Sequence, residues 1–328
     1  MNQELKNNCE LFIENKGVIE KGFKLESAYI YPMCSSIYTS RKMHVDMDKM
    51  KECDRILKRK TGILSDYRGN VRMALVSMMA VSERPEEFLS HVMDTYEILK
   101  KGKIFGSEYL IVAAAAICSN VDAGRQEEIV GKSKEIYKLM KENHPILTSD
   151  EDSIYAALLA VSGLKIEEVM EGMEKCYQSL KPNFFSGNAV QSLSHILALS
   201  KDAPEEKCRK VMDIFNKLKA QGKKYGTGYE LSILGGLALL DVEIDAIVSE
   251  VVEVDDYLKK QKGFGMLGIG SVQRLLHASL LVMNLHMPET ESLQTAALNS
   301  VIALIISQQI AMCTVLIAAS ATAASVSS

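Results

Sequence analysis

Two hydrophobic patterns alternate along the chain. In one, apolar residues recur every three or four positions, as in Phe88, Val92, Tyr96 and Leu99, or Ile166, Val169, Met173, Tyr177 and Leu180. That spacing marks a helix with one buried stripe and one wet face. The other pattern is apolar nearly all round: "YLIVAAAAICS", "IYAALLAVSG", "LSILGGLALL". A helix with no wet face must be sandwiched between neighbours, and its Ala and Gly let those neighbours come close. The turns leading into the amphipathic segments are tight ("VSERPEE", "SKDAPEE"), with Pro85 and Pro204 at helix starts, where a missing N–H costs little. The connections leading out are longer and Gly- or Ser-rich: "KGKIFGSE", "KPNFFSGN", "GKKYGTG". Strand signals are weak throughout.

The alternation has a fixed period. Leu or Met followed by Lys stands at Leu57-Lys58, Leu99-Lys100, Met140-Lys141, Leu180-Lys181, Leu218-Lys219 and Leu258-Lys259. Three positions earlier comes an aromatic in four copies (Tyr96, Tyr137, Tyr177, Phe215), but Asp54 and Asp255 in the first and last. Further upstream lie the acidic pairs Glu86-Glu87, Glu127-Glu128, Glu167-Glu168 and Glu205-Glu206, with Asp245 alone in the last copy. Self-similarity at about forty residues is the signature of stacked helical hairpins. The sequence therefore predicts an all-α protein of about seven hairpins over residues 25–285. A helical cap is expected at 1–24, and an apolar, Ala-rich helix with a frayed tail at 286–328. The array is expected to be an α-α superhelix or, alternatively, a closed α/α toroid.

Composition narrows the class without naming a function. Of 328 residues, 47% are hydrophobic and 24% charged, as in a globular protein. A net charge of -4 gives no overall bias toward nucleic acid or anionic membrane. Seven cysteines contain no C-x-x-C pair, which fits free thiols in a reducing compartment. The N-terminus has no basic stretch followed by an apolar one, so a cytoplasmic location is expected. Residues 301–319 are apolar and long enough to cross a bilayer, which makes a C-terminal membrane anchor the alternative. Ser307, Gln308 and Gln309 interrupt that span, and no Lys or Arg flanks it. It is expected instead to pack on the last hairpin or on a second copy.

The stretch from "KGFKLESAYIYPMCSS" to "SDYRGNVRMALVSMMAVSERPEE", and "LKKGKIFGSEYLIVAAAAI" after it, resembles a family of uncharacterised bacterial proteins. That family is defined by one full-length helical domain of unknown function. "DYRGN" and "FGSEYL" carry the likeness most clearly. The resemblance implies an all-helical fold and brings no activity, cofactor or site residue with it.

Candidate chemistry is sparse. Paired carboxylates do acid–base work, yet four equivalent pairs in first helical turns are better explained by the helix dipole. The six histidines show no metal-ligand spacing, and His195 and His277 fall in apolar helices as buried residues; no metal or cofactor is indicated. "GFGMLGIGS" lacks the strand and the G-K-[ST] of a phosphate loop. The lysines at the amphipathic helix C-termini, including Lys100, Lys101, Lys223 and Lys224, would share one edge of the stack. That edge forms a basic rim suited to an anionic protein or metabolite, with an acidic rim opposite and no nucleic acid expected. Two functions follow. One is a non-catalytic binding module using this rim. The other is an enzyme or small-molecule binder in the hollow of a toroid. Tyr67, Arg68, Glu108, Tyr109, Tyr229, Glu230 and Arg274, at apolar helix starts, would then line a deep pocket.

Overall fold

The computed structural model describes residues 1–287 apart from 70, 103–105, 229 and 266–267; the expectations for 301–319 and the tail lie outside the described residues. Fourteen α-helices and no strand are found among them. They form consecutive pairs: α1 (Gln3–Gly22) with α2 (Ile30–Thr39), α3 (Met47–Lys60) with α4 (Arg72–Val81), α5 (Pro85–Lys100) with α6 (Glu108–Asn120), and α7 (Gln126–Asn143) with α8 (Asp152–Val161). Then come α9 (Ile166–Leu180) with α10 (Gly187–Leu197), α11 (Pro204–Ala220) with α12 (Leu231–Ala238), and α13 (Ile244–Lys259) with α14 (Ser271–His286). Residues 1–24, expected as a separate cap, supply α1, which packs on α2 as the other odd helices pack on their successors.

Burial separates the two sets. Every residue of α2, α8 and α12 is buried, whereas the odd helices bury one stripe each. The even helices are thus inner and the odd ones outer. Outer helices pack in series, α1 on α3, α3 on α5, and so on to α11 on α13. The last inner helix, α14, packs on α12 and also on α1 and α2, so the last pair meets the first. Close approach within the inner layer relies on Gly235: a Cβ there would meet Leu193 Cδ1 of α10 at 2.7 Å.

The recurring phrase now has a physical reading. Leu57, Leu99, Met140, Leu180, Leu218 and Leu258 are buried as the last inward residues of their helices. The lysine after each stands at the C-terminus, where positive charge meets the helix dipole. After α11 the chain reverses through Gly222 (φ 73°), with the Lys223 N–H donating to the Leu218 carbonyl at 2.9 Å. Only a residue without a Cβ enters that left-handed conformation cheaply.

The repeated aromatic behaves differently from the expectation that it belongs to the buried stripe. Tyr96 is buried, but Tyr137, Tyr177 and Phe215 are half-buried. The stripe is carried by the residue just before: Thr95, Ile136, Cys176 and Ile214. The aromatic reaches sideways to the connection of the preceding pair. Tyr96 lies edge-on to Tyr67 (5.4 Å between centroids), Tyr177 beside His144 (4.7 Å) and Phe215 edge-on to Phe184 (5.3 Å).

Where Asp replaces the aromatic, an ion pair replaces the ring contact. Asp54 accepts from Arg72 Nη1 at 2.5 Å and Lys58 Nζ at 2.6 Å, and Arg72 also bonds Glu26. Asp255 accepts from Arg274 Nε at 2.7 Å and Lys223 Nζ at 2.8 Å. Both arginines open the inner helix that follows. Both sites flank α1, where the last pair meets the first.

Arg274 and Asp255 are both buried, so removing one partner strands a charge. Asp255→Leu, which takes away the carboxylate partner of Arg274 while Lys223 keeps Asp256, is expected to lower unfolding free energy by ~3–5 kcal/mol. The double variant Asp255→Leu with Arg274→Met should lose clearly less. Urea denaturation of the two variants checks this; equal losses would mean that packing, not charge, sets the cost.

Candidate functional site

The outer-to-inner connections lie at one end of the molecule, where connections are bonded to the ends of neighbouring helices. Tyr96 Oη donates to Asp66 at 3.1 Å, Asn188 Nδ2 to Glu151 at 3.1 Å, and Gln191 Nε2 to Thr148 Oγ1 at 3.0 Å. Arg72 reaches Glu26, and Lys223 reaches Asp255. We call this the loop end, and the opposite one the turn end. The outer helices begin at the turn end with their acidic pairs and finish at the loop end with their lysines.

Of the residues considered for a toroid pocket, Arg68, Glu230 and Arg274 are bonded within the protein. Arg68 donates to the Thr61 side chain at 3.2 Å, to the Thr61 carbonyl at 2.6 Å and to the Lys58 carbonyl, capping the end of α3. Tyr67 is buried under Tyr96, and Tyr109 is half-buried, with burial and nearby acids raising its pKa. Glu230 accepts the Gly228 N–H at 3.0 Å, in its own loop. Glu108 begins α6 beside Gly69, Arg274 is held by Asp255, and Tyr229 lies outside the described residues.

The rim lysines divide in the same way. Lys223 is bound to Asp255 and, at 2.5 Å, Asp256, while Lys100 sits 5.6 Å from the Tyr96 ring centroid. Lys101 and Lys224 are exposed, as are Lys219, Lys259, Lys260 and Lys262 nearby. The rims are not fully separate. Arg59, at the end of α3, bonds Glu86, at the start of α5, at 2.9 Å, and Lys217 bonds Asp245 of α13. Offset between neighbouring outer helices brings these opposite charges within reach.

The loop end has a second feature that is easily missed in the sequence. Large apolar side chains stand in water on four of its connections: Leu25 (100% exposed), Ile63 (83%), Leu64 (99%), Ile146 (94%) and Phe185 (100%). The signal lay in one or two apolar residues inside polar connections, as in "KLES", "GILSD", "HPILTS" and "NFFSG".

Two other places gather polar and titratable groups. Inside the protein, Asp152 of α8 accepts the Ser149 N–H at 2.8 Å and faces His195 Nδ1 of α10 at 3.5 Å, with Tyr155 edge-on to His195 at 5.0 Å. Burial pushes the Asp152 carboxyl up to about 7, and the His195 imidazole down to about 3 with a small contribution from His144. The adjoining cavity, bordered by His144, Glu174, Gln191 and His195, holds about 10 Å³. That is the size of one water molecule and too small for a metabolite. At the turn end a cleft of about 270 Å³ lies between the α6–α7 and α8–α9 turns. Its cations are engaged locally: Lys132 donates to the Leu164 carbonyl at 2.5 Å, and Arg125 pairs with Glu128 at 3.4 Å. No group of three or more His, Cys, Asp or Glu that could hold a metal occurs among the described residues. No described helix is long and apolar enough to cross a membrane.

The fold defines a class, an all-helical protein of paired helices. The chain belongs to the family described as protein of unknown function (DUF4003), matched over residues 17–311. It is similar to the uncharacterized protein YeaA of Bacillus subtilis (strain 168), with 24% identity over 269 residues, or 80% of each chain. No solved structure matches.

The buried pair generates a pH test. Asp152 would ionise near 3.8 when unfolded and near 7 when folded, so the stability it contributes is full below about pH 4 and lost as pH rises to 7. His195 and His277 act oppositely: both fall from 6.5 to about 3 on folding, so their contribution is full above pH 6.5 and lost as pH falls toward 3. Asp152→Asn removes only the first effect. Its stability relative to the parent is expected to rise steadily between about pH 4 and pH 7 in urea titrations. A constant difference would show that Asp152 stays ionised in the fold.

Proposed function

We propose that this protein is a non-catalytic docking module of the cytoplasm, a closed α/α toroid of hairpins that presents its loop end to an anionic partner. The observation that carries the reading is the exposure of Lys101, Lys219, Lys224 and Lys260 at or just past the loop-end termini of α5, α11 and α13. The acidic pairs Glu86-Glu87 and Glu205-Glu206 start α5 and α11 at the other end, which biases positive charge toward the loop end along those helices. The contact of α14 with α1 and α2 supports closure. Against a toroid enzyme stands the use of Arg68 to cap α3 and of Arg274 to pair with Asp255 of α13, which engages both guanidinium groups within the protein.

Changing Lys101, Lys219, Lys224 and Lys260 together to Glu spares Lys223, whose bond to Asp255 is structural. The variant should keep its helix content and elute from an immobilised polyanion at much lower salt than the parent. Neutralising Arg84, Lys165, Lys201 and Arg209, toward the turn end, should leave elution nearly unchanged. Equal shifts for the two sets would remove the loop end as the binding face.

A further inference from the structure

We propose that the partner of the loop end is the surface of an anionic lipid bilayer, which the protein grips from one side without crossing. This rests on the reading of the loop end as the binding face and adds what it binds. Leu25, Leu64, Ile146 and Phe185 stand on four different connections, each at least nine-tenths exposed, and all project from one end. Single exposed apolar residues are ordinary on a protein surface, but four large ones left almost wholly uncovered at one end suit a medium that accepts them together. A protein partner recognises a contiguous, packed patch with a buried centre. Here the apolar tips are separated along the series of hairpins, with polar and charged loop residues between them. A fluid bilayer suits that arrangement, because each tip enters the interface independently of the others.

Charge completes the match. Lys21 stands behind Leu25, and the helices whose connections carry no tip end in exposed lysines such as Lys101, Lys219 and Lys260. Lysine stems lie along apolar surface while their ammonium groups stay at headgroup level, and each lysine near an anionic surface adds attraction that salt weakens. The acidic pairs start α5, α7, α9 and α11 at the far end, so they stay away from an anionic surface that the lysine-bearing ends approach. A single apolar residue holds a protein on a membrane only briefly; several tips combined with a basic rim supply the two signals that stable attachment needs.

The test is cosedimentation of the full chain with vesicles of phosphatidylcholine, with and without phosphatidylglycerol, at low and high salt. The expected result is salt-sensitive binding to the anionic vesicles and little to the neutral ones. The triple variant Leu25→Ser, Leu64→Ser, Phe185→Ser changes only exposed side chains and should keep its helix content. It should partition at least about tenfold more weakly, since each tip loses apolar burial on binding. The residues after 287 are present in both proteins, so any contact they make cannot produce this difference. Equal binding of parent and triple variant overturns the inference, as does failure to sediment with anionic vesicles. If the protein ignores vesicles yet keeps its lysine-dependent retention on the polyanion, the loop end binds a soluble anionic partner, and only the lipid assignment falls.

Discussion

The inner helices have no side they can show to water, and the rest of the architecture follows from that. A helix such as α8, buried on every residue, needs an outer helix at its back and an inner neighbour on each flank. In a linear stack the last inner helix would lack one flank. In α14 the run from Gln273 to Met283 is buried throughout, and α1 and α2 supply the missing flank. Hydrophobic burial at about 25 cal/mol per Å² of apolar surface makes that contact strongly favourable, without any directional bond to specify it. Directional bonds appear instead on either side of α1, where Asp54–Arg72 and Asp255–Arg274 fix how the neighbouring pairs sit.

Much of this was legible in the chain, and the reason is periodicity. The Leu-Lys phrase marks a position whose two requirements, an apolar residue facing inward and a cation at the helix end, are both local. Every copy of the repeat therefore has to restate them. The aromatic three residues earlier was harder to interpret. Its place on the stripe suggested burial, but its partner is a connection contributed by the previous pair, and nothing local announces that. The exchange of aromatic for Asp at 54 and 255 looked like loss of the pattern. It was a substitution of one contact by another, visible only when Arg72 and Arg274 are seen beside them.

The candidate site shows a different limit. Polar residues clustered at the starts of the inner helices invite a catalytic reading, because residue type and spacing say nothing about what each side chain is already bonded to. Arg68 is the clear case: its guanidinium is occupied by the carbonyls at the end of α3. Exposed apolar residues pose the opposite problem. Ile63 and Ile146 are ordinary residues in sequence, and only the topology, which gathers every outer-to-inner connection at one end, makes them a group.

The meeting of α1 with α14 also bears on how the protein is made. The helix α1 leaves the ribosome more than two hundred residues ahead of its partner α14, so part of it must wait uncovered until α14 has emerged. Contacts of such long sequence separation are slow to form, and the waiting surface is apolar. Each hairpin can fold as it emerges, but the seam cannot. That interval, rather than any step in forming the helices, is when the nascent chain is most open to chaperones and to aggregation.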